Sequence, residues 1–255
     1  MQIPEQATVS AIVITLNEEE NLQRCLNSLS WVDELIVVDA GSRDRTLEIA
    51  LAFNARIYHR DWTGYADQRA FALAKAGSEW VISLDADEEL SAPLISEIRS
   101  RILHGSAKES GLLIPRRCRY LGRWIYHGEW FPDLQLRLFR RDRACLRQKH
   151  VHESFEVKGE VETLEGLINH YSFNGVGDHL CRMRKYAGLV ALQRFEDGVR
   201  WNLRDHLTEP VRRAYGNLVT RRGYRDGYRG LIITMIIFYY AYRTHSQLLG
   251  LQKQS

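Results

Sequence analysis

Cysteine is scarce in this chain. The four present (Cys25, Cys118, Cys145 and Cys181) are scattered without C-x-x-C spacing. That distribution excludes a disulfide scaffold, speaks against a zinc site, and fits a reducing compartment. Long apolar runs are missing as well. The longest, Leu231 to Tyr242, has 12 residues, whereas a helix that spans a bilayer takes about twenty. Met1-Gln2-Ile3-Pro4-Glu5 offers neither a basic n-region nor an apolar h-region, so no secretory signal is expected and the expected location is the cytoplasm. Disorder is excluded too, because 45% hydrophobic residues in a 255-residue chain suffice for a full core. The expectation is one large domain, or one domain with a helical appendage.

Acidic and basic residues are unevenly shared. Residues 1–100 carry 8 Lys/Arg against 17 Asp/Glu, and residues 101–255 carry 27 against 15. An acidic first half repels a diphosphate unless a divalent cation neutralises it, and a basic second half suits an anionic partner: a phosphorylated acceptor, an anionic membrane or nucleic acid.

The first half alternates short apolar runs with helical patterns. Ser10 to Thr15, Glu34 to Asp39, Ala55 to His59 and Glu79 to Leu84 read as strands, the first and last of them buried. Between them, Leu22, Cys25, Leu26 and Leu29 repeat at helical spacing, and helices are expected from about Thr46 to Phe53 and Tyr65 to Ala76. Asn17, with Glu20 three residues on, reads as the N-cap of the first helix. Such alternation predicts an α/β fold, a mostly parallel sheet flanked by helices.

Polar and acidic groups therefore collect at the carboxyl ends of three strands, where open α/β sheets bind ligands. Asn17 and Glu18 follow the first strand, Asp39 ends the second, and Asp85-Ala86-Asp87 ends the fourth. Paired hard oxygen donors suit a Mg²⁺ or Mn²⁺ that also holds phosphate oxygens. Helix capping accounts for Asn17, Ser42 or Asp44, but not for Asp85, Asp87, Glu88 and Glu89 together. Four carboxylates in five residues repel unless a cation or solvent intervenes.

Three segments then carry a family resemblance: Ala11-Ile12-Val13-Ile14-Thr15-Leu16-Asn17-Glu18, Val37 to Thr46, and Leu84-Asp85-Ala86-Asp87-Glu88. They resemble the opening half of family 2 glycosyltransferases, and more narrowly the bacterial lipopolysaccharide-core β-glycosyltransferases. Pro132 to Arg141, Val151-His152-Glu153 and His170-Tyr171-Ser172 support the narrower match. The resemblance implies a Rossmann-like GT-A fold over residues 1–175, a mostly helical extension over 176–255, and inverting transfer of a hexose from a nucleotide sugar, expected to be UDP-linked, to a lipid-borne saccharide. It further implies that Thr15, Glu18, Asp39 and Asp85 line the nucleotide pocket and that Asp87 binds the metal directly, with Asp85 contacting the ribose or the metal. A polyprenol-phosphate glycosyltransferase shares the same nucleotide half and is the alternative.

Inverting transfer needs a base for the acceptor hydroxyl. Asp133, before the strand-like Leu134 to Phe139, and Glu153 are the two candidates, with Glu153 preferred. His170 is a candidate third metal or diphosphate ligand. Arg137 and Arg140 are candidates for bidentate contact with diphosphate oxygens, though strand alternation turns one of them away. Tyr120, Trp124, Tyr126, Trp130 and Phe131 form an aromatic-rich stretch, read as a sugar-facing wall or as surface packing. Near the carboxyl terminus, Arg221, Arg222, Arg225 and Arg229 precede the Leu231 run and its tyrosines. That pattern predicts an interfacial anchor on anionic lipid, the rival being a helix packed on the domain. No nucleic-acid partner is expected, since such a role leaves the strand-end carboxylates unexplained.

Overall fold

The computed structural model describes residues 7–103, 108–147 and 154–254. In chain order the elements are β1 (Val9–Thr15), α1 (Leu22–Ser28), β2 (Glu34–Asp39), α2 (Thr46–Ala52), β3 (Arg56–His59), α3 (Tyr65–Lys75), β4 (Trp80–Asp85), β5 (Glu88–Leu90) and α4 (Ala92–Leu103). Then come β6 (Gly111–Tyr120), β7 (Arg123–Trp124), β8 (Asp133–Arg140), β9 (Ala144–Arg147), β10 (Ser154–Val157), β11 (Val161–Thr163) and β12 (Ile168–His170), followed by α5 (Val176–Glu196), α6 (Leu203–Tyr215) and α7 (Tyr228–Gln254). The chain divides into two compact units, Met1–Arg116 with Leu134–Tyr171, and Arg117–Asp133 with Ser172–Ser255.

The first unit holds a mixed sheet in the order β3-β2-β1-β4-β8-β6-β12-β5. Strands β1 to β4 pair in parallel and β8 runs antiparallel against β4. All seven residues of β1 are buried, as expected for a strand covered by helices on both faces. Its side chains alternate between two cores. Ala11 and Val13 join Leu22, Leu26, Ile82 and Leu84 on one face. Ile12 and Ile14 join Val38, Ala72, Val81 and Phe139 on the other.

One local expectation is corrected. Asn17 does not cap α1, whose N-cap is Asn21. Asn17 instead takes a left-handed backbone, φ 54°, and reaches across to the β2–α2 loop. Its amide donates to Ser42 Oγ at 2.8 Å, and its Oδ1 accepts the Arg43 amide at 2.8 Å. Glu18 and Glu19 amides donate to Thr46 Oγ1 and Asp44 Oδ2 at 2.8 and 3.1 Å, and the Arg45 amide donates back to Glu19 at 3.1 Å. Short polar side chains readily satisfy backbone donors at helix starts. Here side chains of each loop accept amides of the other, which a reading of each loop alone misses.

The second unit packs α5 and α6 against α7. The apolar run from Leu231 belongs to a 27-residue helix that sends Ile233, Ile236, Ile237, Ala241, His245 and Leu248 inward at three- and four-residue steps. Five of the twelve residues from Leu231 to Tyr242 are buried in that packing, and Leu231, Met235, Phe238 and Tyr242 stay exposed. Two of the arginines preceding the run are engaged within the unit: Arg229 donates to the Leu121 carbonyl at 2.8 and 3.0 Å, and Arg221 pairs with Glu129. No helix among the described residues is long and apolar enough to cross a membrane.

The aromatic stretch splits in two. Tyr120 and Trp130 turn inward against Phe173 and His179. Burial pushes the Tyr120 phenol up to about 12 and His179 down to about 4, so the imidazole is neutral and its Nδ1 sits 3.1 Å from the Tyr120 hydroxyl. Tyr126 remains exposed.

Candidate active site

Register brings the predicted strand ends together. Thr15 lies opposite Asp39 on β2, and Ile14 lies opposite Asp85 on β4. The Thr15 hydroxyl is buried and, among the described residues, has no hydrogen-bond partner. A buried unpaired hydroxyl costs about 1–3 kcal/mol, so this atom marks a position for an incoming donor or acceptor. Asp39, also buried, builds the turn after β2 by accepting the Gly41 and Ser42 amides at 2.8 and 2.9 Å. Glu18 accepts the Asn21 side-chain amide at 2.9 Å.

The carboxylate cluster is neutralised largely by guanidinium groups of the chain itself. Asp85 accepts Arg69 at 2.6 Å through one oxygen and Arg137 at 2.7 Å through the other. Glu88, 1% exposed, accepts Arg137 at 2.8 Å and Arg116 at 2.7 Å through one oxygen, and the Asp85 amide at 3.0 Å through the other. Burial works against ionisation of Asp85, but Arg137 and Arg69 outweigh it and hold the carboxyl well below the usual range. Burial likewise lowers Arg137, and Asp85 and Glu88 more than restore it. Cys25, whose thiol faces the Asp85 carbonyl at 3.6 Å, is pushed well up by burial and then by Glu88, Asp87, Asp85 and Glu18. It is a packed thiol, not a nucleophile.

Asp87 stands apart from that network. Its Oδ2 lies 3.2 Å from His170 Nε2, and both side chains are partly open to solvent. The antiparallel pairing of β5 and β12 makes this meeting, with His170 opposite Glu88 and the Tyr171 amide donating to the Asp87 carbonyl at 3.0 Å. Glu89 turns the other way, accepting the Tyr171 hydroxyl at 2.8 Å and the Asn169 amide at 3.2 Å, while Arg24 stacks 3.8 Å over the Tyr171 ring. No group of three or more His, Cys, Asp or Glu side chains able to hold a metal occurs among the described residues. Asp87 and His170 supply two donors.

The remaining candidates are scattered. Arg137 is buried and committed to the two carboxylates. Arg140 pairs with Glu79 and lies opposite Trp80, five residues before Asp85 and thus about 17 Å along the strand. The antiparallel run of β8 carries it away from this edge. Asp133 opens β8, and Glu153 lies outside the described residues.

Against known proteins, residues 10–154 match the family described as Glycosyl transferase family 2. The chain belongs to glycosyltransferase family 2. This glycosyltransferase is 31% identical over 250 residues to the lipopolysaccharide core biosynthesis glycosyltransferase LpsC of Rhizobium meliloti (strain 1021), covering 94% of this chain and 91% of LpsC. An uncharacterized glycosyltransferase of Rickettsia typhi is 27% identical, covering 89% of this chain and 82% of the relative. Among solved structures, Mycobacterium tuberculosis glucosyl-3-phosphoglycerate synthase, in complex with Mn²⁺, uridine diphosphate and glucosyl-3-phosphoglycerate, is 27% identical over 44% of each chain with a TM-score of 0.35. Staphylococcus aureus TarS (residues 1–349 of that protein) is 16% identical, with 97% and 92% coverage and a TM-score of 0.49.

Arg69 and Arg116 are the members of the candidate site that the sequence pattern did not point to, and Glu88, legible there only as one of four crowded carboxylates, is the buried partner of Arg116 and Arg137. A signal existed for the arginines on strands. Arg137 sits between Leu136 and Leu138, and Arg116 follows Leu112 to Pro115. A charge inside an apolar strand is rarely buried without a partner.

Proposed function

We propose that this glycosyltransferase transfers a hexose, with inversion, from a UDP-linked donor to a lipid-borne saccharide of the lipopolysaccharide-core type. The observation that carries the donor half is the pairing of Asp87 with His170 at the strand edge that also holds the unpartnered Thr15 hydroxyl. One carboxylate and one imidazole fit a divalent ion that takes its other ligands from substrate phosphates and water, as Mg²⁺ does in nucleotide sites. When bound, that ion supplies charge neutralisation at the leaving diphosphate. Asp87 and His170 would hold it. Thr15 and Asp39 would meet the nucleoside, and Asp85, clamped by Arg69 and Arg137, fixes the segment from which Asp87 projects. The LpsC likeness supports the acceptor class.

The test is thermal unfolding with UDP, with and without Mn²⁺. A ligand at a hundred times its Kd adds about 2.7 kcal/mol, so UDP should raise the melting temperature, and more so with Mn²⁺. Absence of any UDP effect sinks the donor reading.

Glu153 is proposed as the base, a role worth about 10²–10⁴ in rate. Glu153→Gln should then lower kcat with little change in donor affinity, and Asp133→Asn should be milder. The reverse order, with Asp133→Asn inactive and Glu153→Gln near normal, makes Asp133 the base.

Contact with anionic lipid is best supported on α6. Leu203, Leu207, Val211 and Tyr215 repeat every four residues and are 59%, 59%, 58% and 62% exposed, with exposed Arg204 and Arg212 on the same helix. Wild type should co-sediment with vesicles containing phosphatidylglycerol, and salt or the pair Leu207→Gln and Val211→Gln should release it. Failure of wild type to sediment removes the membrane from the reading.

A further inference from the structure

The second unit carries a cleft of about 810 Å³ lined by Tyr126, His127, Glu129, Phe131, Arg213 and Arg221, together with Gly128 and Pro132. Nothing in the nucleotide chemistry uses it. Its wall, residues 126–132, has little secondary structure beyond one turn at Gly128–Trp130, yet the four successive amides from Tyr126 to Glu129 are each tied down. The Tyr126 and His127 amides donate to the Asp226 carboxylate at 3.2 and 2.9 Å. Gly128 donates to the Arg221 carbonyl at 3.0 Å, and Glu129 donates to Asn217 Oδ1 at 2.7 Å. Asn217 is buried and in turn donates to Thr234 Oγ1 at 2.7 Å. Gly128 is required where it stands, since its φ is +81° and a Cβ there would lie 2.5 Å from Asn217 Oδ1. A loop held this firmly presents its side chains in fixed positions, the condition for recognition without an ordering cost.

Those side chains have a definite chemistry. Tyr126, 41% exposed, packs edge-on to Phe131 with ring centroids 5.6 Å apart. An aromatic face with its negative quadrupole suits the C–H side of a pyranose ring. Beside it, Glu129 is bracketed by Arg213 at 3.0 Å and Arg221 at 3.2 Å, one on each oxygen. Two guanidinium groups against one carboxylate leave a net positive charge. Each guanidinium has five N–H donors, so donors remain for an incoming anion, while Glu129 can accept sugar hydroxyls.

We propose that this cleft binds an acidic sugar, a pyranose carrying a phosphate or carboxylate, as part of the acceptor. The proposal rests on the reading that the enzyme transfers to a saccharide, and it names the acceptor's chemical class. Tyr126 and Phe131 take the ring, and Arg213 and Arg221 take the charge.

The test titrates the full-length protein by saturation-transfer NMR with glucose 6-phosphate, glucuronate, glucose and inorganic phosphate, each in the presence of excess UDP. The acidic sugars should bind about tenfold more tightly than glucose, the worth of one charge-assisted contact. Arg221→Gln, at a half-exposed position, should erase that preference, and Tyr126→Ala should weaken acidic and neutral sugars alike. Both variants should keep the wild-type melting temperature and UDP response. Equal binding of glucose and glucose 6-phosphate, indifference to Arg221→Gln, or displacement by UDP overturns the proposal. Inorganic phosphate competing as well as glucose 6-phosphate overturns the saccharide part, leaving a plain anion site. A protein that ignores UDP but keeps the acidic-sugar preference would lose its donor reading and retain this one.

Discussion

Asp87→Asn should lower transfer by about two to three orders of magnitude, the several kcal/mol that a bound divalent ion contributes at a leaving group, while leaving the melting temperature unchanged. The side chain is partly open and lies against His170, itself partly open, so the loss of charge disturbs no buried pair. Asp85→Asn should behave differently. Both Asp85 oxygens hold guanidinium groups, and the change strips charge compensation from a buried arginine, so stability should fall along with activity. Measuring kcat and thermal unfolding for the two variants side by side separates the roles. Near-normal turnover in Asp87→Asn, or an unfolded Asp87→Asn protein, refutes the assignment.

Arg137→Met should destabilise the first unit by about 3–5 kcal/mol, the usual cost of removing one partner from a buried ionic cluster. The substitution leaves Asp85 and Glu88 facing each other with Arg69 and Arg116 on their outer sides. In the wild type the guanidinium groups hold the Asp85 carboxyl low, so its stabilisation is present above the ordinary carboxylate pKa near 4 and is lost as pH falls. In Arg137→Met the carboxylates are less well compensated and gain from protonation. The stability gap between the two proteins should therefore narrow as pH drops through the carboxylate range. Urea midpoints at pH 7 and pH 4 check this, and an unchanged midpoint at pH 7 or a gap that does not depend on pH refutes it.

The parallel half of the sheet was readable from the residues because β1, β2 and β4 are short apolar runs that are largely buried, while the partly exposed β3 follows from its place in the alternation. The Glu34 to Asp39 strand has the predicted ends, and the others differ by a residue or two. What escaped was pairing between distant segments. No local pattern announces that Arg137 on β8, Arg116 on β6 and Arg69 on α3 converge on one carboxylate pair, or that β12 brings His170 to Asp87. Repulsion among Asp85, Asp87, Glu88 and Glu89 did demand a positive charge nearby. The inference supplied a metal ion, and the structure adds three arginines. Alternation along β8 likewise separates Arg137 from Arg140 onto different faces, but only the antiparallel register with β4 shows how far Arg140 is carried from the site.

The reciprocal hydrogen bonds between the β1–α1 and β2–α2 loops have a consequence for how such a site can change over time. Asn17 and Glu19 side chains accept the Arg43 and Arg45 amides, while Ser42, Thr46 and Asp44 side chains accept the amides of Asn17, Glu18 and Glu19. Neither loop is an independent module. A transplant of the Thr15–Asn21 segment from a relative would arrive with orphaned donors unless the Gly41–Thr46 segment travelled with it. The two stretches, some twenty-five residues apart in the chain, form one heritable part, and chimeras that respect this should fold where single-loop swaps fail.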